Sequence, residues 1–119
     1  MFDRKMMEVI AENDINVLEY KGKTYGDSWK KRGGVGAFMM LARKWDRIEN
    51  QVKEFGWDVF AAVENQMDRV VEESLVDDIR DLRRYLLLVE EELIRRNTGD
   101  MLPETGESEG EATPAYVGQ

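Results

Sequence analysis

The clearest hydrophobic pattern in the chain lies between residues 75 and 93. Apolar residues recur there at alternating steps of four and three, at Leu75, Ile79, Leu82, Leu86, Val89 and Leu93. This spacing places them along one narrow side of an α-helix, as in helices that pack against other helices. We therefore predict a long core helix in this part of the chain, with Ser74 as a candidate N-cap.

A second segment, residues 35–55, keeps the helical spacing most regularly. Its apolar positions are Val35, Phe38, Leu41 or Ala42, Trp45, Ile48, Val52 and Phe55. Because these positions also share one side of a helix, the pattern predicts a second long helix that packs against the first.

Two weaker patterns complete the fold. Residues 3–20 read as a first helix, followed by a polar loop from residue 21 to residue 34. A shorter helix is predicted from Asp58, its candidate N-cap, to about residue 70. Trp57 and Phe60, at the start of this helix, are expected in the core. Four helices without a strand pattern predict an all-α protein.

The composition of the chain changes after Asn97. From Thr98 to the end there are five acidic residues and no Lys or Arg, in a mixture with Gly, Ser, Thr and Pro. Such a segment buries too little apolar surface to order itself, so residues 98–119 are predicted to form a disordered acidic tail after a helical domain over residues 1–97. The pentapeptide LPETG at 102–106 matches a sortase signal, but no hydrophobic stretch and basic end follow it, so we expect a chance match.

Composition narrows the chemistry that the chain can perform. The 119 residues include no Cys and no His, which removes disulfides, thiol nucleophiles and the usual zinc ligands. Any bound metal would have oxygen ligands, which favours Mg²⁺ or Mn²⁺. The net charge of −8 disfavours direct DNA binding. With no apolar run long enough to cross a membrane and no leader sequence, a cytoplasmic location is expected.

The predicted core helix of residues 75–93 begins in an unusually acidic stretch, with five carboxylates between residues 72 and 81. At about 100° per residue, Asp78, Asp81 and Tyr85 fall on a stripe beside the apolar seam, with Asp77 just beyond. Like charges on one helix repel each other, so this ladder needs cations beside it. Since Arg80 and Arg83 of the same helix point elsewhere, the cation is expected from a facing helix or from a divalent metal.

The second helix carries charged residues on both sides of its apolar stripe. Asp46 and Glu49 flank one side, Lys44 flanks the other, and Arg47 lies further round. Antiparallel packing of the two helices is one way to bring Glu49 close to the acidic ladder. The alternative is that these residues form ordinary surface salt bridges.

The polar loop of residues 21–34 holds the only concentrated positive charge, with four glycines and five basic residues around Tyr25 and Trp29. Glycine backbone and cationic side chains suit a phosphate, and an aromatic ring can stack on a base. The spacing does not match a Walker A loop. A solvated loop anchored by Trp29 is the other interpretation.

Taken together, several motifs resemble a known superfamily. They are YGDSW at 25–29, MLARKWDRI at 40–48, Glu73, and DDIRDLRRY at 77–85. In order and spacing they are similar to small phage proteins of the MazG-like, all-α nucleotide pyrophosphohydrolase group, including the nucleotide-modification-associated type. The resemblance implies a four-helix bundle, assembly as a homodimer or homotetramer, and Mg²⁺ held by carboxylates of two antiparallel helices.

The resemblance also implies a set of metal ligands. They are Asp78 and Asp81 with Asp77 or Glu73 on the acidic helix, and Glu49 with Asp46 on the second helix. The match is incomplete on the second helix, because the first motif of the superfamily is a pair of glutamates one turn apart, whereas this chain has only Asp46 and Glu49 there. In addition, Arg43 stands where similar phage proteins often carry Asp.

Three functions remain open on this basis. The first is metal-dependent hydrolysis of a (deoxy)nucleoside triphosphate to a monophosphate and pyrophosphate. The residues expected to contact the nucleotide are Tyr25, Trp29, Lys30, Lys31, Arg32, Lys44, Arg47 and Tyr85. The second is a non-catalytic phage sponge that sequesters a nucleotide-derived immune signal. The third is a helical interaction module whose acids pair with arginines of the same or a neighbouring subunit.

Overall fold

The computed structural model describes residues 1–25, 27–67, 71 and 73–97. For residues 23–25 it describes the backbone but not the side chains. All regular elements of the described residues are helices, and none is a strand: α1 is Arg4–Tyr25, α2 is Gly33–Lys53, α3 is Val59–Gln66 and α4 is Leu75–Asn97, with a 3₁₀ turn at Ser28–Lys30. The predicted all-α class is therefore confirmed. The predicted tail, residues 98–119, lies outside the described residues.

Helix α1 is longer than the hydrophobic pattern predicts. It begins after Asp3, whose side chain accepts a hydrogen bond from the backbone N–H of Met6 at 3.1 Å, and it continues to Tyr25. The prediction of a loop from residue 21 is therefore wrong for its first five residues. One glycine does not end a helix, and Lys21 and Lys23 are favourable near the negative end of the helix dipole.

The turn between α2 and α3 uses two residues in the left-handed region. Gly56 has a φ of 66° and Trp57 a φ of 67°. Asp58 then caps α3 as predicted, because its carboxylate accepts from the N–H groups of Phe60 and Ala61 at 3.0 and 3.1 Å. The expectation that Trp57 and Phe60 lie in the core is wrong, since both are exposed: the turn holds Trp57 outward and Phe60 follows on the outer side of α3.

Replacing Asp58 with alanine is expected to lower the free energy of unfolding by about 1 kcal/mol, because two N–H groups of α3 lose their acceptor. Urea denaturation followed by far-UV circular dichroism measures the change. Asp46→Ala is the control, since the Asp46 side chain is exposed and forms no hydrogen bond or ion pair among the described residues. Equal effects of the two substitutions would contradict a capping role.

The start of α4 is capped from two directions. Ser74 Oγ accepts from the N–H of Asp77 at 3.2 Å, and the Asp77 carboxylate accepts in return from the backbone N–H of Ser74 at 3.4 Å, which is a capping box. The Ser74 hydroxyl also donates to that carboxylate at 2.9 Å. The side chain of Gln66, at the end of α3, accepts from the N–H of Leu75 at 2.8 Å. The predicted Ser74 cap is confirmed, and Gln66 ties α3 to α4.

The described chain falls into two units, Met1–Leu86 and a second unit that begins at Leu87. In the first unit the core consists of Ile48, Val52, Ala62 and Leu75, with Phe55, Val59, Val63, Ile79 and Leu82 packed against it. The described part of the second unit, residues 87–97, carries helical ion pairs of Arg95 with Glu91 and Arg96 with Glu92. The predicted division at residue 97 stays a prediction. No described helix has both the length and the apolar character to span a membrane.

Candidate functional site

The acidic ladder of α4 faces two cations of α2. Lys44 Nζ lies 3.0 Å from a carboxylate oxygen of Asp81, and Arg47 Nε lies 2.9 Å from Asp78 Oδ1. Arg47 also reaches Glu73, with an Nη2 to Oε1 distance of 3.2 Å. The earlier residue of α2, Lys44, contacts the later acid, Asp81, and the later residue, Arg47, contacts the earlier acids, Asp78 and Glu73. The two helices therefore run antiparallel here. Of the two cation sources that the sequence left open, the structure shows a facing helix.

Asp78 is the centre of this arrangement and is only 1% exposed. Its Oδ1 accepts from Arg47, and its Oδ2 accepts from the Gln51 side chain at 2.8 Å. Lys44 Nζ stands 3.9 Å from Oδ1. A buried carboxylate is stable only when its oxygens are paired in this way. The hydrogen bond to Asp78 is also the largest cause that raises the pKa of Arg47.

Two glutamines extend the contacts of Asp78 to the other helices. The Gln51 side chain donates to Asp78 and accepts from Gln66 Nε2 at 2.8 Å. Gln66 in turn accepts from the backbone of Leu75. This chain of hydrogen bonds connects α2, α3 and the first turn of α4. It links the buried carboxylate of Asp78, through Gln51 and Gln66, to the backbone N–H of Leu75 at the N-terminus of α4.

On the other side, the ladder continues to α1. Arg84 Nη1 lies 3.8 Å from Asp81, and Arg84 Nε lies 2.8 Å from Asp14. Asp14 is also 1% exposed, and Arg83 binds it in a bidentate manner, with Nε on one oxygen and Nη2 on the other. The hydrogen bond from Arg83 is the largest cause that lowers the pKa of Asp14, and it outweighs burial, which would raise that pKa.

Four carboxylates and four cations thus form one continuous ion-pair network between α1, α2 and α4. Its members are Asp14, Glu73, Asp78, Asp81, Lys44, Arg47, Arg83 and Arg84. Since the formal charges balance, the network neutralises itself and is suited to holding three helices in register. It leaves neither Asp78 nor Asp14 with an oxygen that lacks a donor.

The metal ligands predicted on α2 do not meet those predicted on and before α4. Asp78, Asp81 and Glu73 are bound to cations, and Asp77 caps α4. Asp46 and Glu49 are exposed and lie on the other side of α2 from Arg47, about 100° and 160° away. In the described part of the chain, no three acidic side chains are placed so that they could hold a metal ion. These residues therefore do not fit the Mg²⁺ site that the resemblance implies, and Mg²⁺ stays a prediction.

The predicted nucleotide contacts fall into two groups. Lys44 and Arg47 belong to the network, and Tyr85 is half-buried on α4. In the loop, Lys30 Nζ lies 5.8 Å above the ring of half-buried Trp29, a cation–π contact, while Lys31 and Arg32 are exposed. The side chain of Tyr25 lies outside the described residues.

Sequence reasoning missed Asp14 and the two glutamines. The signal for Asp14 was present, because the residue lies four after Ile10 and three before Val17, at a position of α1 where a core residue is expected. A carboxylate there needs a buried cation, and Arg83 with Arg84 could have been named. Gln51 and Gln66 had no comparable signal, since polar residues of this type are common on helix surfaces.

Comparisons with family models, curated proteins and solved structures find no match to this chain. The resemblance to the MazG-like superfamily therefore stays a prediction that depends on the motifs themselves.

Proposed function

We propose that this chain is a helical interaction module. In this proposal its carboxylates hold its own helices together, and its apolar helix surfaces bind other protein chains. The observation that carries the proposal is the network around Asp78: the acids that a metal or a metal-bound nucleotide would need are already bound to Lys44, Arg47 and Arg84.

The helix surfaces support the second half of the proposal. Large apolar side chains are exposed on the three helices of the first unit that precede α4, among them Met6, Val9, Phe38, Trp45 and Phe60. Single exposed apolar residues are ordinary, but a set that includes a tryptophan and two phenylalanines is typical of protein interfaces.

The melting temperature of the protein in Mg²⁺ or Mn²⁺ is expected to equal its melting temperature in sodium chloride of the same ionic strength. A ligand that binds the native state raises the melting temperature as its concentration rises, and the paired carboxylates offer no such site. Differential scanning calorimetry over a metal titration measures this. A metal-specific, concentration-dependent rise would overturn the proposed function.

The second candidate function is hydrolysis of a nucleoside triphosphate, as the resemblance implies. The observation that favours it is the cluster of Glu73, Asp78 and Asp81 with Lys44 and Arg47, because such enzymes also gather carboxylates and cations at one place. Incubation with each nucleotide and Mg²⁺ tests it. Pyrophosphate release that Asp81→Ala abolishes would support this function, and no turnover of any nucleotide would exclude it.

The sponge hypothesis needs a different experiment, because it involves no turnover. Isothermal titration calorimetry of the protein with cyclic dinucleotides and ADP-ribose derivatives, in the presence of a chelator, separates it from the enzyme. Tight binding without metal would support sequestration, and binding that requires metal would argue against it.

A further inference from the structure

Trp57 combines two features that the fold alone does not explain. Its backbone lies in the left-handed region, with a φ of 67°, and among the described residues it is the only one other than glycine to do so. This conformation is unfavourable for a residue with a side chain, because Cβ comes close to the carbonyl oxygen that follows. Trp57 is nevertheless 64% exposed, so burial of its ring within the fold offsets little of this strain.

The turn between α2 and α3 requires the backbone of residue 57 but not its ring. The N–H of Trp57 donates to the carbonyl oxygen of Val52 at 3.1 Å, and the N–H of Asp58 donates to that of Phe55 at 3.2 Å. A glycine at position 57 could form the first of these bonds without the unfavourable contact of Cβ. The ring therefore contributes little to the turn.

Two further apolar side chains are exposed on α3 after Trp57. Phe60 and Met67 are 79% and 73% exposed. Because the backbone of Met67 keeps helical angles, the two lie within about 20° of each other on the helix surface, and about 140° to 160° from the buried Ala62. The Cα atoms of Trp57 and Phe60, three residues apart, are at most about 11 Å from each other. We refer to Trp57, Phe60 and Met67 as the α3 patch.

The charges beside the α3 patch are negative. Residues 54–67 contain three acids and no Lys or Arg. Glu64 lies four residues after Phe60 and three before Met67, which places it on the same side of α3. Glu64 and Glu54 are both exposed, and neither forms an ion pair among the described residues. A partner that covers the patch therefore meets carboxylates that are not yet paired within the described chain.

We propose that the α3 patch binds a basic amphipathic segment of another protein, with Trp57 as the central anchor. Apolar side chains of that segment cover the patch, and its Lys or Arg side chains pair with the carboxylates of Glu54 and Glu64. A cation of the segment also interacts favourably with the face of the Trp57 ring. This inference rests on the proposed function and specifies one surface and the chemistry of its partner.

The same charges make other ligands poor partners for the α3 patch. Nucleic acids and anionic membranes carry negative charge, which the carboxylates repel. A second copy of the chain, placed patch against patch, would bring the carboxylates of the two copies together, which is also unfavourable. A basic protein segment is therefore the better complement.

Selection from a random peptide library displayed on yeast, with the full chain as the labelled bait, tests the chemistry of the partner. The enriched peptides are expected to combine apolar residues with a net positive charge. Fluorescence anisotropy of one such peptide, synthesised with a dye, then gives its Kd for the full chain. A selection that enriches no peptide, or enriches acidic peptides, would overturn the inference.

Substitutions at position 57 test the anchor. Trp57→Ala is expected to weaken binding of the peptide by about 30-fold or more, as loss of a central aromatic anchor does, whereas Trp57→Phe should keep most of the affinity. Trp45→Ala on α2 is the matched control, because this tryptophan is also exposed, at 57%, and lies outside the patch. A peptide whose binding depends on Trp45 and not on Trp57 would contradict the assignment. Circular dichroism checks that all variants are folded.

Charge reversal separates the patch from the net charge of the chain. Glu64→Lys is expected to weaken binding of the peptide by about fivefold or more, because it places a cation opposite the cations of the peptide. Glu49→Lys, the same change at an exposed position of α2, is the matched control and should have a much smaller effect. Equal losses would show that the peptide responds to net charge alone.

The stability of two variants tests whether residue 57 is strained. In urea denaturation followed by circular dichroism, Trp57→Gly is expected to unfold at a higher urea concentration than Trp57→Ala, because glycine adopts the left-handed region without a steric penalty. The opposite order would show that position 57 does not favour glycine. It would remove the reason for assigning the ring to a partner.

Sedimentation velocity tests whether a second copy occupies the patch instead. A mass above the 13.8 kDa of one chain that Trp57→Ala reduces to that value would overturn the inference. Neither this result nor a failed peptide selection touches the proposed function, which the metal titration tests. Conversely, a metal-dependent rise in melting temperature would overturn the proposed function whichever peptides bind.

Discussion

Replacing Asp78 with asparagine is expected to lower the free energy of unfolding by about 3 kcal/mol in metal-free buffer. The substitution keeps the shape of the side chain. In the original chain Arg47 and Gln51 each donate to a different oxygen of Asp78, whereas asparagine has only one side-chain oxygen. The NH₂ group of the asparagine would then face the donor group of either Arg47 or Gln51. In addition, the positive charges of Lys44 and Arg47 would lose the negative charge of Asp78. For a domain whose total stability is about 5 to 15 kcal/mol, this loss is large. Urea denaturation followed by tryptophan fluorescence measures it.

The sign of this change separates the ion-pair network from a metal site. In a metal site without its metal, neighbouring carboxylates repel each other, so removal of one charge would stabilise the protein. Asp46→Asn serves as the matched control, since it removes the same charge from an exposed position of α2 and should change stability by less than about 0.5 kcal/mol. An Asp78→Asn variant that is more stable than the original chain would contradict the network.

Replacing Asp14 with asparagine is expected to lower the free energy of unfolding at neutral pH by about 2 to 4 kcal/mol. Arg83 and Arg84 would then be left beside a neutral side chain, although both retain some contact with water.

The contribution of Asp14 to the free energy of unfolding also depends on pH. Because the pKa of Asp14 is lowered in the folded chain, its contribution is complete above the unfolded value of about 4 and is lost as the pH falls through the lower folded value.

The difference in stability between the original chain and the Asp14→Asn variant should therefore be constant near neutral pH and shrink below about pH 4. Denaturant titrations at several pH values measure this difference directly. Glu12→Gln, which removes an exposed charge two residues earlier in α1, is the control and should show no such trend. A difference that grows as the pH falls would contradict the assignment of Asp14 as the ionised partner of the two arginines.

Much of the fold could be predicted from local signals. The steps of four and three from Leu75 to Leu93 predicted α4, and the caps at Asp58 and Ser74 were visible as residue types directly before helical patterns. These features depend on neighbours within one turn of helix, so they can be read from a single segment. The end of α1 could not be placed, because Gly22 gave the same signal as a true loop glycine.

The sequence by itself determined that the chain is helical, which side of each long helix is apolar, and that the acids of α4 need cations nearby. Only the tertiary structure decided which cations these are. Lys44, Arg47, Asp46 and Glu49 lie on different sides of one helix, and the pattern of that helix does not say how far it is rotated against α4. A rotation by about half a turn would have brought Glu49 to Asp78. The observed rotation brings Arg47 and Lys44 there instead, because opposite charges attract and the apolar residues Ile48 and Val52 reach the core in the same orientation.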